Sequence, residues 1–231
     1  MDWQVWHDAY DSPDSWLTRR LRAVQDRIRY ALDTAPPGPL RAVSVCAGQG
    51  RDLVEVLADH PRRDDVRARL VELDPGNASY ARESADRAGL SQVEVVTGDA
   101  ALTDHYLDLA PADLVLVCGV FGNIVDADIE RTVDTCTRLC RTGGTVVWTR
   151  NRHAPDRVPL VCDWFEGRGF ERLWLSDPDA GFGVGAHRFT GGKGGTGEGS
   201  ELAAGQRMFD FVGYDVLKAE GAGADSREAG A

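Results

Sequence analysis

AVSVCAGQGRDL, residues 42–53, is the stretch that sets how the rest of the chain is read. Val43 and Val45 form a short apolar run, Ala47, Gly48 and Gly50 a small-residue turn, and Leu53, Val54 and Leu57 a helical pattern beyond it. Strand, tight glycine turn and helix start make a nucleotide-binding loop. Glycine lets the backbone approach a ligand closely, and a helix N-terminus offers free N–H groups and a partial positive charge.

Outward from this loop the same alternation continues. The apolar patterning predicts strands at 42–46, 68–73, 93–97, 113–118, 145–149 and 170–175. Helices are predicted at 51–59, at 75–88 with Gly89 as its C-cap, at 101–109, at 127–139 stopped by Gly143-Gly144, and at 155–167. The strands are continuous apolar runs, as expected when helices cover both faces, and the alternation implies a parallel, doubly wound sheet. Two further strand-like runs, 182–189 and 208–212, follow with no helix between them. The turn Asp177-Pro178-Asp179 predicts that 170–175 and 182–189 pair as an antiparallel hairpin. The expected fold class is therefore α/β: a doubly wound, mostly parallel, seven-stranded Rossmann-like sheet with a terminal antiparallel hairpin.

Ahead of it, Leu17, Leu21, Val24, Ile28 and Leu32 recur at helical spacing, so 13–32 reads as a helix with Ser12 as N-cap and Pro13 at its first position. Prolines 36, 37 and 39 end it. Trp3, Trp6, His7 and Tyr10 precede it and serve either as a staple to the core or as a lid over a pocket. The chain thus divides into an N-terminal helical and aromatic extension (1–39), the main domain (40–218) and a polar tail (219–231) expected to be disordered. The glycine-rich 191–199 reads as a flexible loop.

A hydrophobic content of 42% with 27% charged residues is that of a soluble globular protein. Asp and Glu number 37 against 26 Lys and Arg, and the net charge of −11 argues against nucleic acid as a partner. The basic run at 19–29 reads as a solvated helix face. No long apolar run marks a membrane span, and the acidic, aromatic N-terminus is unlike a signal peptide. Five cysteines without CxxC spacing point to a reducing, cytoplasmic setting. Cys136 and Cys140 read as core, and no metal is expected.

In doubly wound sheets ligands bind beyond the carboxyl ends of the strands, where strand order reverses. The residues falling there are 46–50, Glu72, Asp99, 118–123 and 150–153. A carboxylate at Glu72 can accept from both hydroxyls of a ribose, with Asp74 as its rival. Asp99 can accept from an adenine amino group, with Ala100 leaving room for the ring. A dinucleotide loop would read G-x-G-x-x-G, but Leu53 stands at the third glycine and Asp52 would repel a pyrophosphate.

On these residues the chain, over 40–189, resembles the class I S-adenosylmethionine-dependent methyltransferases. The family's first motif, an acid followed by G-x-G-x-G, falls on SVCAGQG: Ser44 stands for the acid, Cys46 for the first glycine, and Gly48 and Gly50 match. Glu72 in VELDP, Asp99 in VTGDA, the segment ADLVLVCGVFGNI and the terminal hairpin complete the likeness. The resemblance implies S-adenosylmethionine as cofactor, contacted by Cys46, Ala47, Gly48, Gln49, Gly50, Arg51, Glu72, Leu73, Asp99, Ala100 and Cys118. Carbonyls of Ala47 or Cys118 would receive the cofactor's amino group in place of the missing acid.

The implied activity is in-line methyl transfer to a small, aromatic or heterocyclic metabolite of natural-product type, with the protein supplying orientation. Two alternatives stay open: cyclisation or intramolecular alkylation on the same fold, and NAD(P)-dependent oxidation. A base is needed only for a weakly acidic acceptor, and the candidates are His153, His7 and Tyr10. His187 reads as a core histidine, and Asn123 either orients an acceptor or closes its turn. The expected partners are a small-molecule acceptor and a second copy in a homodimer, with neither nucleic acid nor membrane.

Overall fold

A computed structural model describes residues 15–191 and 201–218. Trp3, Trp6, His7 and Tyr10, with the lid expected of them, lie outside the described residues, as do 192–200 and the tail 219–231.

Helix α1 (Trp16–Thr34) opens at Ser15 rather than Ser12, because Ser15 is extended and its Oγ accepts from the Thr18 N–H at 3.0 Å. Leu17, Val24, Ile28 and Leu32 are buried against α2 (Arg51–Asp59) and the sheet, while Leu21 is only half-buried. Gln25 reaches from α1 to the Arg51 carbonyl and to Glu55, pinning the first turn of α2.

The sheet holds β1 (Leu40–Val45), β2 (Val66–Glu72), β3 (Val93–Thr97), β4 (Ala112–Val117), β5 (Cys140–Asn151), β6 (Phe170–Leu175) and β7 (Phe182–Phe189). Their spatial order is β3-β2-β1-β4-β5-β7-β6. The first five are parallel, and β7 runs antiparallel between β5 and β6. Val45 pairs with Val71 and Glu72 with Thr97, so the tips of β1, β2 and β3 end level with one another. Helices α3 (Pro75–Arg87), α4 (Asp126–Leu139) and α5 (Val158–Gly167) complete the two covering layers. Along β1, Val43 and Val45 join a core with Phe121, Trp148 and Phe165, while Leu40 and Ala42 face Ile28, Leu53 and Leu57 on the other side. Burial on both faces is what turned the strands into unbroken apolar runs.

Local departures from the sequence pattern have physical causes. The stretch 101–109 contains only a 3-10 turn, Thr103–Tyr106. Helix α4 stops at Leu139, and β5 starts at Cys140 and runs through both glycines. A Cβ on Gly144 would lie 2.9 Å from the Ala112 carbonyl oxygen, so glycine marks a close approach of strands there, not a helix stop. Helix α5 begins at Val158, whose N–H donates to Asp156 at 2.9 Å. Residues 208–212 form no strand; a single bridge, Leu102 to Arg207, is all the pairing present.

His187 is core, as its place in a strand suggests. Its Nδ1 accepts from the Trp148 indole at 3.0 Å, and burial pulls its pKa down to about 3, so the ring stays neutral. Cys136 and Cys140 are buried core residues.

Candidate active site

A cavity of about 780 Å³ opens at the carboxyl ends of β1 to β5. Its floor is the loop after β1. Cys46 sits there with φ of 52°, a left-handed conformation that costs a residue with a Cβ about 1–2 kcal/mol. Gly48 and Gly50 follow at φ 56° and 67°. A Cβ at Gly50 would lie 2.7 Å from Leu70, so this glycine packs the turn against β2. Gly50 does not line the cavity; it shapes the loop from behind.

Glu72, at the tip of β2, holds that loop. Its Oε2 accepts from the Gly48 N–H at 2.7 Å and its Oε1 from the Asp74 N–H at 2.9 Å. Burial raises the Glu72 pKa above the usual carboxylate range, opposed by these backbone donors. Asp74 also borders the cavity, but its Oδ1 caps α3 through the Asn77 N–H at 2.8 Å. Asp99 accepts from Ala101 N–H at 3.0 Å and pairs with Arg207 at 2.7 Å. Ala100 is a buried wall, and Leu73 lies beside Glu72 with 67% of its surface exposed.

Asp52, in the first turn of α2, is a buried lining residue, and burial pushes its pKa up to about 6 against the opposing charge of Arg20. Loss of solvation, and after it the charge of Asp52, raise the half-buried Cys118 thiol just past β4, which places Asp52 where the β1 loop meets β4. Ser44, at the expected acid's position, is buried in β1 and does not line the cavity.

The opposite wall comes from β4 and β5. Thr149 Oγ1 accepts from the Gly119 N–H at 2.8 Å, and Arg150, Asn151 and His153 follow it. Trp16, Arg20 and Leu21 of α1 stand over the cavity. The last wall is the returning segment 201–218. Met208 N–H donates to Ala101, Asp210 N–H to Asp128 at 2.7 Å, Val212 and Gly213 N–H to the Asn123 carbonyl, and Tyr214 N–H to Asn123 Oδ1 at 3.0 Å. These bonds set Phe209, Phe211 and Tyr214 against the cavity, with the Tyr214 ring 5.3 Å from that of His153.

Of the residues expected from the sequence, Cys46, Ala47, Gly48, Gln49, Arg51, Glu72, Leu73, Asp99, Ala100 and Cys118 share this cavity, and His153 stands exposed at its rim. His7 and Tyr10 lie outside the described residues. Asn123 spends its amide on the Gly119 carbonyl and on Tyr214, closing its turn and clamping the returning chain. Sequence reasoning missed Trp16, Arg20, Asp52, Phe209, Phe211 and Tyr214. The aromatics of 209–214, set in an otherwise polar C-terminal stretch, were the available signal.

Residues 42–144 match the family model of a methyltransferase domain. That stretch makes up a methyltransferase domain. The seven-stranded sheet is shared with precorrin-6y C5,15-methyltransferase from Geobacter metallireducens, at 14% identity and a TM-score of 0.54 over 72% of this chain and 86% of that one. An RNA methyltransferase from Salinibacter ruber, in complex with S-adenosyl-L-homocysteine, aligns at 16% identity and a TM-score of 0.50 over 80% and 97%. The [4+2]-cyclase SpnF aligns at 16% identity and a TM-score of 0.53 over 74% and 80%. At such identities these likenesses establish the fold, and one fold hosts many reactions. No curated protein sequence matches the chain. No described helix is long and apolar enough to cross a membrane.

Proposed function

We propose that this methyltransferase acts on a small planar metabolite, aromatic or heterocyclic, bound in the same cavity as the cofactor. The observation that carries the reading is the far wall: Phe209, Phe211 and Tyr214 of the returning segment line the cavity, and the Tyr214 ring lies against His153. A cavity of about 780 Å³ suits a nucleoside-sized cofactor beside a small acceptor, and aromatic walls favour a planar one. The charge of −11 disfavours a polyanionic acceptor, and five free thiols suit the cytoplasm.

The cofactor supplies an electrophilic methyl group on a sulfonium. In this reading the lone pairs of Glu72 not taken by backbone donors accept from the ribose hydroxyls, while Leu73 and Ala100 flank the base. Asp99 accepts from its amino group. Asp52 and Arg20, of opposite charge at the β4 end of the loop, complement the amino-acid zwitterion, so Asp52 stands in for the acid absent at Ser44. The aromatic wall orients the acceptor and excludes water. His153 takes a proton only from acceptors that must lose one.

The test is mass analysis of planar hydroxy- and amino-aromatics incubated with enzyme and S-adenosylmethionine. A product heavier by one methylene, formed one for one with S-adenosylhomocysteine, supports the reading. An isomerised product with the cofactor unconsumed would move the enzyme to cyclisation instead.

A further inference from the structure

The acceptor side of the cavity contains a cation that forms no ion pair with any described carboxylate. Arg150, at the end of β5, lines the cavity; its Nη1 donates to the Phe121 carbonyl, and its Nε is buried with no hydrogen-bond partner among the described residues. No carboxylate among the described residues pairs with it. Asp156 and Asp126 act on it through space, but Asp156 is bonded to Arg152 at 2.7 Å and Asp126 to Arg157 at 3.1 Å. Burial accordingly pulls the Arg150 pKa down. Arg27 and Arg138 also have a buried, unpartnered Nε, but neither lines the cavity, and Arg27 lies over the Trp174 ring at 4.6 Å.

A half-buried guanidinium without a counter-charge is costly unless something completes it. The cofactor's own carboxylate is an unsuitable partner in the reading above, because Arg20 serves it from the other wall. The tip of β5 is two strands from that of β1, roughly 10 Å at ordinary strand spacing, on the side away from Glu72 and Asp99. Arg150 reaches the Phe121 carbonyl, two residues before Asn123, and Asn123 in turn holds the backbone of Val212, Gly213 and Tyr214 in the acceptor wall; His153 follows three residues along the chain. A guanidinium matches a carboxylate as a planar, two-pronged pair. Four acids, Asp52, Glu72, Asp74 and Asp99, border the same cavity, so a monoanion is tolerated better than a phosphate dianion.

We propose that the acceptor is a planar aromatic carboxylate whose carboxylate is held by Arg150 while its ring lies against the aromatics of the returning segment. This rests on the small planar acceptor proposed above and adds the anionic group. The test uses the full chain saturated with S-adenosylhomocysteine, titrated calorimetrically with two matched pairs of probes: 4-hydroxybenzoate against 4-hydroxybenzamide, and indole-3-carboxylate against indole-3-carboxamide. In at least one pair the acid is expected to bind about tenfold or more tightly than the amide, as charge-assisted pairing requires. Arg150→Gln abolishes that preference and Arg150→Lys retains part of it, with S-adenosylhomocysteine affinity held in both as the measure of intact folding. Amides binding as tightly as acids in the unaltered enzyme, or a preference that survives Arg150→Gln, overturns the anion site and leaves the planar acceptor standing. Failure of all four probes to bind removes the planar acceptor and the anion site together.

Discussion

The two halves of the cavity are assembled by different means. Around Glu72 the wall residues lie within a few positions of strand ends, and most contacts there are local or join neighbouring strand tips: Glu72 to Asp74, Asp74 to Asn77, Asp99 to Ala101 and Gly48 to Glu72, with the Asp99–Arg207 pair as the long-range one. Around Arg150 the walls arrive from far along the chain. Asn123 and Tyr214, bonded across the acceptor side, are 91 residues apart, and Asp128 and Asp210 are 82 apart. The half proposed for the nucleoside is built at strand ends, where position along the chain and position in space go together. The half proposed for the acceptor is assembled by tertiary contacts.

If that contrast is right, damage to the nucleoside half should reach folding, and damage to the acceptor half should reach turnover alone. Gly50→Ala carries the largest expected effect. It combines left-handed backbone with a Cβ 2.7 Å from Leu70, and should lower stability by about 2–4 kcal/mol in chemical denaturation. Near-native stability would mean that the loop relaxes more easily than its packing indicates.

Asp52 sharpens the comparison through pH. Its folded pKa of about 6 lies above the ordinary 3.8, so its contribution to stability is fully present below about pH 4 and is lost as pH rises through 6. Asp52→Asn should therefore be the more stable protein at pH 7, by about 1–3 kcal/mol. It should bind S-adenosylhomocysteine more weakly, and the native enzyme's affinity should fall as pH drops below 6. Unchanged affinity in the variant would return the ammonium to backbone carbonyls.

Glu72→Ala should weaken S-adenosylhomocysteine binding by about 1–3 kcal/mol in calorimetry. Asp74→Ala, which removes a helix cap, should cost about 1 kcal/mol of stability with affinity nearly kept. The reverse outcome would exchange the two roles. On the other side, Phe211→Ala with Tyr214→Ala should reduce acceptor turnover at least tenfold while leaving cofactor affinity within about twofold, since Phe211 is exposed and Tyr214 only half-buried. Equal losses in both would mean that the halves are not separable.

How far the sequence could be read follows the same division. The strand tips with Gly48, Glu72 and Asp99 were legible because periodicity and glycine placement act over a few residues. The antiparallel 170–189 hairpin was legible for the same reason. Residues 208–212 alternate like a strand, but Met208 and Phe209 join a core that includes Ile129 and Val133 of α4, and the Met208 backbone bonds to Ala101 and to the Thr132 hydroxyl, which no local pattern announces. Gly143-Gly144 was misread as a helix stop because a close strand approach demands the same residue. Asp52 passed as a charge hostile to pyrophosphate, when its burial and its place beside Cys118 depend on the α1 helix folding over it.

The most direct test is a crystal structure of the full chain with S-adenosylhomocysteine. The account predicts the ribose on Glu72, the base against Leu73 and Ala100, and the sulfur turned toward Arg150 and Tyr214. A nucleoside lodged among Arg150, Phe211 and Tyr214, with Glu72 untouched, would contradict it.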